Sequence, residues 1–149
     1  MYRGAIMAVM DDCVFCRILA GSLPASVVMR DAGCTAFMDT RPINVGHVLV
    51  VPDEHAASVA DLPEETGAHL FRTAQQVAAA LYSSGLKCEG VNLFVADGEA
   101  AGQEVFHVHL HVIPRFEGDG FGLTFGPNHA NGATREELEQ AARRIRDAL

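Results

Sequence analysis

Apolar and polar residues take turns along Glu104-Val105-Phe106-His107-Val108-His109-Leu110-His111-Val112-Ile113-Pro114-Arg115. A period of two is the repeat of an extended strand, whose side chains point to opposite faces in succession. Val108, Leu110 and Val112 then share a buried face, and His107, His109 and His111 line the other. Shorter stretches read the same way. Ser26 to Arg30 and Thr35 to Met38 predict two strands joined by a turn at Asp31-Ala32-Gly33. His47 to Pro52 is an apolar run of strand length closed by proline, and Gly90 to Val95 precedes a glycine-bearing polar loop, residues 96–103.

A longer period governs the remaining segments. Leu70, Ala74, Val77, Ala78 and Leu81 recur at helical spacing between Pro63 and Ser83, with Asp61 or the nearby backbone as cap and Gly85 as stop. Cys13 to Ala20 predicts a short helix ended by Gly21, with Val14, Phe15 and Ile18 as apolar contacts. Thr134 to Glu137 reads as a capping box that opens a C-terminal helix carrying Leu138, Ala141, Ala142 and Ile145 along one side. Five strands in hairpin-like succession, one long central helix and a C-terminal helix predict an α+β fold with a five-stranded antiparallel sheet. One face of such a sheet can carry a site.

With 149 residues, 49% hydrophobic and 20% charged, the chain has the size and composition of one domain, residues 1–149. Residues 1–11 read as an N-terminal extension, with Met7 and Met10 as alternative starts, and residues 126–149 as a C-terminal helical segment. A net charge of -8 argues against holding nucleic acid by its backbone, which takes a basic face. No apolar run approaches the ~20 residues of a membrane span, and the first ten residues lack a convincing export signal. The expected location is therefore cytoplasmic, and Cys13, Cys16, Cys34 and Cys88 are expected as thiols or metal ligands, not a disulfide framework.

Imidazole is the side chain whose unperturbed pKa, about 6.5, allows proton exchange near neutrality. Three of them in steps of ~7 Å along one strand face suit proton relay, nucleophilic attack or metal ligation. Cys13-x-x-Cys16 is half of a metal site. His69, His129, Cys34 and Cys88 read as packing or surface residues.

The run His107-Val-His109-Leu-His111-Val-Ile resembles the signature of the histidine triad superfamily. Asp39 with Arg41-Pro42, Gly46-His47-Val-Leu-Val-Val-Pro52 and Gly102-Gln103 resemble further family blocks in the same order, and Cys13-Val-Phe-Cys16-Arg-Ile resembles the bacterial Hint-like branch. The resemblance implies a homodimer whose sheets join edge to edge, binding purine nucleotides and cleaving a bond at the α-phosphorus. It assigns His109 as the nucleophile that forms a nucleotidyl-histidine, with His111 and His47 contacting phosphate and ordering protons. It makes Asp39 the ribose acceptor, Gln103 a phosphate donor and Asn92 a nucleotide contact or support, with Phe15, Ile18 and Phe37 as an apolar slot for the base. It also implies structural zinc held by Cys13, Cys16, His55 and His107. Glu104 stands where several members carry Ser or Thr, so an acceptor replaces a donor beside the leaving group.

Nucleoside phosphoramidate hydrolysis is the activity this pattern favours, ahead of a dinucleoside polyphosphate hydrolase of the Fhit type. Two readings from other classes compete: a hydrolase or lyase with catalytic zinc on His107 and His109, and a nucleotide-binding module without catalysis.

Overall fold

A computed structural model describes residues 12–149. The reading of Met1 to Met10 as an extension falls outside the described residues. The chain divides into two compact units, one ending at Asp119 and one running from Gly120 to Leu149.

The first unit opens with α1 (Val14–Leu19), followed by β1 (Val27–Arg30), β2 (Cys34–Met38) and β3 (Val48–Pro52). The long helix α2 (Glu64–Ser83) comes next, and β4 (Gly90–Phe94) and β5 (Leu110–Arg115) complete the sheet. All pairings are antiparallel and the strand order is β1-β2-β3-β5-β4. The fold is therefore α+β with five strands, as the periodicities require. Each strand lies within a residue of its expected limits except the last.

β5 begins at Leu110, several residues after the alternating pattern starts. Its lead-in is held by the segment after β3 and not by ladder pairing. The Val108 N–H donates to the Ala56 carbonyl at 2.8 Å, and the His107 ring bonds the Pro52 carbonyl at 2.9 Å. Residues 105–107 bend, with the His107 N–H on the Val105 carbonyl at 2.9 Å, yet Val108 joins the core facing α2 while His107 and His109 meet Phe15. At the start of α2 the cap position is Pro63, without a side-chain hydrogen bond; Asp61 instead closes a single turn of 3-10 helix over Val59–Asp61.

Register sorts the side chains into two layers. Ala36, Val48, Val50, Leu110 and Val112 face α2 and bury its Leu70, Ala74, Val77 and Leu81 in the main core. On the opposite face Phe37, Leu49 and Val51 pack with Phe15 of α1, and Ile18 and Leu19 join them part-buried. That face also carries His111, opposite Leu49 on β3 and Phe94 on β4. The α2 side is thus filled by the long helix, whereas on the histidine side the short α1 contributes Phe15, Ile18 and Leu19.

The second unit contains α3 (Pro127–Asn131) and α4 (Arg135–Arg146). The expected capping box is present: the Thr134 hydroxyl accepts from the Glu137 N–H at 3.2 Å, and the Glu137 carboxylate accepts from the Thr134 N–H at 2.8 Å. Leu138 and Ile145 form the anticipated apolar side of α4, yet they are 52% and 63% exposed. No helix among the described residues is long and apolar enough to cross a membrane.

One glycine is demanded by both backbone and space. Gly46, just before β3, has φ +102, and a Cβ there would lie 2.9 Å from Leu86, 3.2 Å from Pro114 and 3.3 Å from Leu81. Gly46→Ala is expected to cost about 1–3 kcal/mol from backbone strain alone, with the crowding against the Pro114 ring adding to it. Urea unfolding measures the loss, and a variant as stable as the parent would contradict this account.

Candidate active site and metal centre

Hydrogen bonds to backbone groups assign the protons of His107, His109 and His47, and His47 in turn assigns that of His111. His109 Nδ1 lies 2.8 Å from the His107 carbonyl oxygen. A carbonyl only accepts, so Nδ1 carries the hydrogen and Nε2 the lone pair. His107 Nε2 lies 2.9 Å from the Pro52 carbonyl, which leaves the His107 Nδ1 lone pair facing Cys13 Sγ at 3.5 Å and Cys16 Sγ at 3.6 Å. His47 is the reverse case: its Nδ1 receives the Ile43 N–H at 3.2 Å, so Nε2 bears the hydrogen. Nε2 donates to His111 Nδ1 at 2.9 Å, and the His111 proton is thereby placed on Nε2.

The reactive edges of the row reach the surface. His109 is 6% exposed, yet its Nε2 has no hydrogen-bond partner and is not among the buried unpaired atoms, of which Thr73 Oγ1 is the one such case among the described residues. The same holds for His111 Nε2. An imidazole lone pair and an imidazole N–H thus emerge side by side, on rings whose centroids are 4.9 Å apart. The Phe15 ring meets His109 edge-on at 5.2 Å and also contacts His107 and Phe37, walling one side.

Burial favours the uncharged form of His111, His47 and His107. Desolvation, then the neighbouring His109 and His47, push His111 down from 6.5 to about 4, with Asp39 opposing. Burial likewise lowers His47 against the opposing pull of Asp39, and lowers His107 against its bond to Pro52. Asp39 Oδ2 stands 3.6 Å from His47 Nδ1. That nitrogen is already an acceptor and the ring is neutral, so the contact is not an ion pair. The Asp39, His47 and His111 donor atoms cluster closely enough for a metal, but the direct 2.9 Å imidazole–imidazole bond accounts for their approach.

A second cluster joins four donors: the thiols of Cys13 and Cys16 and imidazoles of His55 and His107, all within 4.8 Å of one another. His55 Nδ1 lies 3.3 Å from Cys16 Sγ. Burial, reinforced by Cys13, raises the Cys16 thiol to about 11. Two sulfurs and two imidazole nitrogens converging on one point fit the closed tetrahedral set of structural zinc. The Pro52 carbonyl orients His107 as an outer-shell partner does in such sites.

The other residues singled out by sequence occupy distinct positions. Gln103 is 5% exposed and its amide is committed within the chain: Oε1 accepts from the Gly98 N–H at 2.7 Å, and Nε2 donates to the carbonyls of Ala57 at 2.8 Å and Val105 at 3.1 Å. Asn92 lies on the histidine face of β4, opposite Ile113, where its Oδ1 accepts from Arg115. Phe15 and Phe37 are buried, and Ile18 is the part-exposed member of their cluster. Asp39 Oδ1 accepts from the Arg41 N–H at 2.8 Å. Glu104 pairs with the Arg41 guanidinium at 2.9 Å, both side chains largely exposed, an arrangement worth at most about 1 kcal/mol.

Sequence reasoning passed over three contributors. Phe94, on β4 opposite His111, holds its ring 5.7 Å from that imidazole and is 47% exposed. Asn44 and Asp119 bond to each other at 2.8 Å across 75 residues. The β4–β5 register signals the first once known; the second pair left no local pattern to find.

Known proteins resemble this chain in sequence and fold. Residues 20–118 match the HIT domain family. An uncharacterized HIT-like protein of Borreliella burgdorferi is 41% identical over 118 residues, 78% of this chain and 85% of that protein. The crystal structure of a HIT family member from Bacillus subtilis superposes with a TM-score of 0.84 at 35% identity, covering 93% of this chain and 97% of that one. A zinc-bound histidine triad family protein from Mycobacterium smegmatis superposes with a TM-score of 0.73 at 38% identity, covering 94% and 99%.

The lowered histidine pKa values set a pH window. Because His111 titrates near 4 when folded and near 6.5 when unfolded, the unfolded chain binds more protons between those values. Stability should therefore fall as pH drops from about 6.5 and level off below about 4, with His47 and His107 acting in the same direction. Thermal unfolding across this range tests it: His111→Asn should flatten the dependence, and an equal slope in parent and variant would refute the assignment.

Proposed function

The chain belongs to the HIT domain family, and we propose that it hydrolyses purine nucleotides at the α-phosphorus through a nucleotidyl-histidine on His109, most readily nucleoside phosphoramidates. The observation that carries this reading is the tautomer of His109. Its Nδ1–H is bound to the His107 carbonyl, so the surface nitrogen is a neutral, ready nucleophile.

In this reading His109 Nε2 bonds to phosphorus as the bond to the leaving group breaks. The imidazolium so formed keeps its Nδ1–H, and the His107 carbonyl that receives it stabilises the new positive charge. The neutral His111 Nε2–H, which burial keeps from becoming an imidazolium, donates a hydrogen bond to the departing amine, which takes its proton from solvent. Water then attacks phosphorus, gives its proton to solvent and releases neutral His109. Asp39 serves as the ribose acceptor, with Ile18 and the Phe15 edge as apolar surface for the base. Gln103 supports the loop that borders the site, since its amide is engaged with Gly98, Ala57 and Val105. Asn92 supports β5 through Arg115.

Zinc on Cys13, Cys16, His55 and His107 supplies a structural cross-link between α1 and the histidine strand when bound. The converging donors and the zinc-bound mycobacterial relative support this part. A homodimer joined through β4 is supported by the strand's place at the sheet edge and by the exposure of Leu93, Phe94 and Val95. The absence of a long apolar helix among the described residues agrees with a cytoplasmic place.

An adenosine phosphoramidate and a diadenosine polyphosphate, assayed side by side, test the reaction and its leaving group. The phosphoramidate should turn over faster, His109→Ala should lose about 10³-fold or more, and acid quenching should trap nucleotide on His109. Turnover that survives in His109→Ala would end the proposal. Protein purified without chelator should carry about one zinc per chain; its removal should lower Tm more than it lowers turnover. Metal-free protein of undiminished stability would refute the structural role.

A further inference from the structure

The donor state of His111 depends on a proton that its own backbone does not hold. His107 and His109 each bond a carbonyl directly; His111 takes its tautomer from His47, and His47 takes its own from one backbone N–H, that of Ile43. A competing partner for the same nitrogen stands 3.6 Å away in the Asp39 carboxylate. If the His47 proton moved from Nε2 to Nδ1 and turned to Asp39, Nε2 would become an acceptor. His111 would then have to donate from Nδ1 and would present a lone pair on Nε2.

What holds Ile43 in place is the next residue. Asn44 is buried, and its Nδ2 donates to the Pro114 carbonyl and to Asp119 Oδ2, each at 2.8 Å. Its carbonyl accepts the His47 N–H at 3.0 Å. The β3–β5 ladder stops at the Val48–Val112 pair, so beyond it Asn44 supplies the donor that a strand would otherwise give to Pro114. The side chain of Asp119 is 3% exposed and is gripped by Arg115 through Nε at 2.6 Å and Nη2 at 2.8 Å. A two-pronged charge-assisted contact of this kind is directional and strong.

The geometry points to Asn44 and Asp119 as positioning residues: by clamping the loop before β3, they keep the Ile43 N–H on His47 and so keep the His111 proton on the nitrogen that faces the site. Neither residue touches the reacting atoms. They act through Ile43 and His47, as outer-shell partners orient the ligands or catalytic groups they support. The use made of the His111 proton rests on the hydrolase proposed above, whereas the tautomer itself does not.

Ring nitrogen 15N shifts of the full chain separate the two. In the parent, His47 should show an unprotonated Nδ1 and a protonated Nε2, and His111 the same pattern; a protonated His47 Nδ1 in the parent overturns the inference without any variant. In Asn44→Ala, and to a lesser degree in Asp119→Asn, both rings should shift toward the opposite tautomer. Turnover of the phosphoramidate should fall about 10- to 100-fold through kcat with little change in KM. Val77→Ala, on the core face of α2, should lose stability with neither tautomer nor kcat altered. Folded Asn44→Ala with parental His47 and His111 shifts would overturn the inference even where activity falls. Shifted tautomers in a protein without phosphoramidate turnover would uphold the clamp and refute the hydrolase.

Discussion

A carbonyl oxygen can accept a hydrogen bond and never donate one, and the chemistry of this sheet face follows from where two such oxygens are placed. The Pro52 and His107 carbonyls each claim one nitrogen of a neighbouring imidazole. The remaining nitrogen of His107 is thereby turned toward two sulfurs, and that of His109 toward the surface. Adjacent rings of identical composition present opposite nitrogens because their backbone partners lie on opposite ring nitrogens. The third ring, His111, is set by His47 and presents an N–H.

These assignments hold only while the rings are neutral, and burial favours that form at His47, His107 and His111. Desolvation outweighs the nearby Asp39 carboxylate at both His47 and His111. Phe15, held by Phe37 and α1, removes water from one side of His109 and His107. The same helix that excludes water also carries Cys16 and is capped by Cys13. Packing, protonation and cross-linking are therefore not separate features of the N-terminal segment.

Much of the site was legible because period-two spacing says which side chains share a face. His107, His109 and His111 fall together for the same reason that Val108, Leu110 and Val112 meet α2. Helix-period spacing located α2 equally well, and the capping box at Thr134 formed as written. Spacing alone says nothing about partners, however. The lead-in to β5 keeps its alternation but is tied to Pro52 and Ala56 instead of a strand. Gln103 has an amide suited to an anion, and the structure spends both its hydrogens on carbonyls. The apolar side of α4 was correctly drawn, yet Leu138 and Ile145 face solvent. Asn44 and Asp119 lie 75 residues apart, and neither has a local neighbour that hints at the other.

Apart from the His107 carbonyl on His109 and the Ile43 N–H on His47, the contacts that assemble the site join distant parts of the chain: 55 residues separate Pro52 from His107, 64 separate His47 from His111, and 94 separate Cys13 from His107. Closing loops of that size precedes any energetic return from the contacts they permit, and such topologies fold slowly. The hairpin of β1 and β2 can form from a short local segment, but the reactive face exists only after β5 has inserted between β3 and β4. A chain emerging from synthesis thus carries no partial version of its own chemistry. Competence arrives in one late event, and any intermediate left short of it holds the pieces of the site without the site.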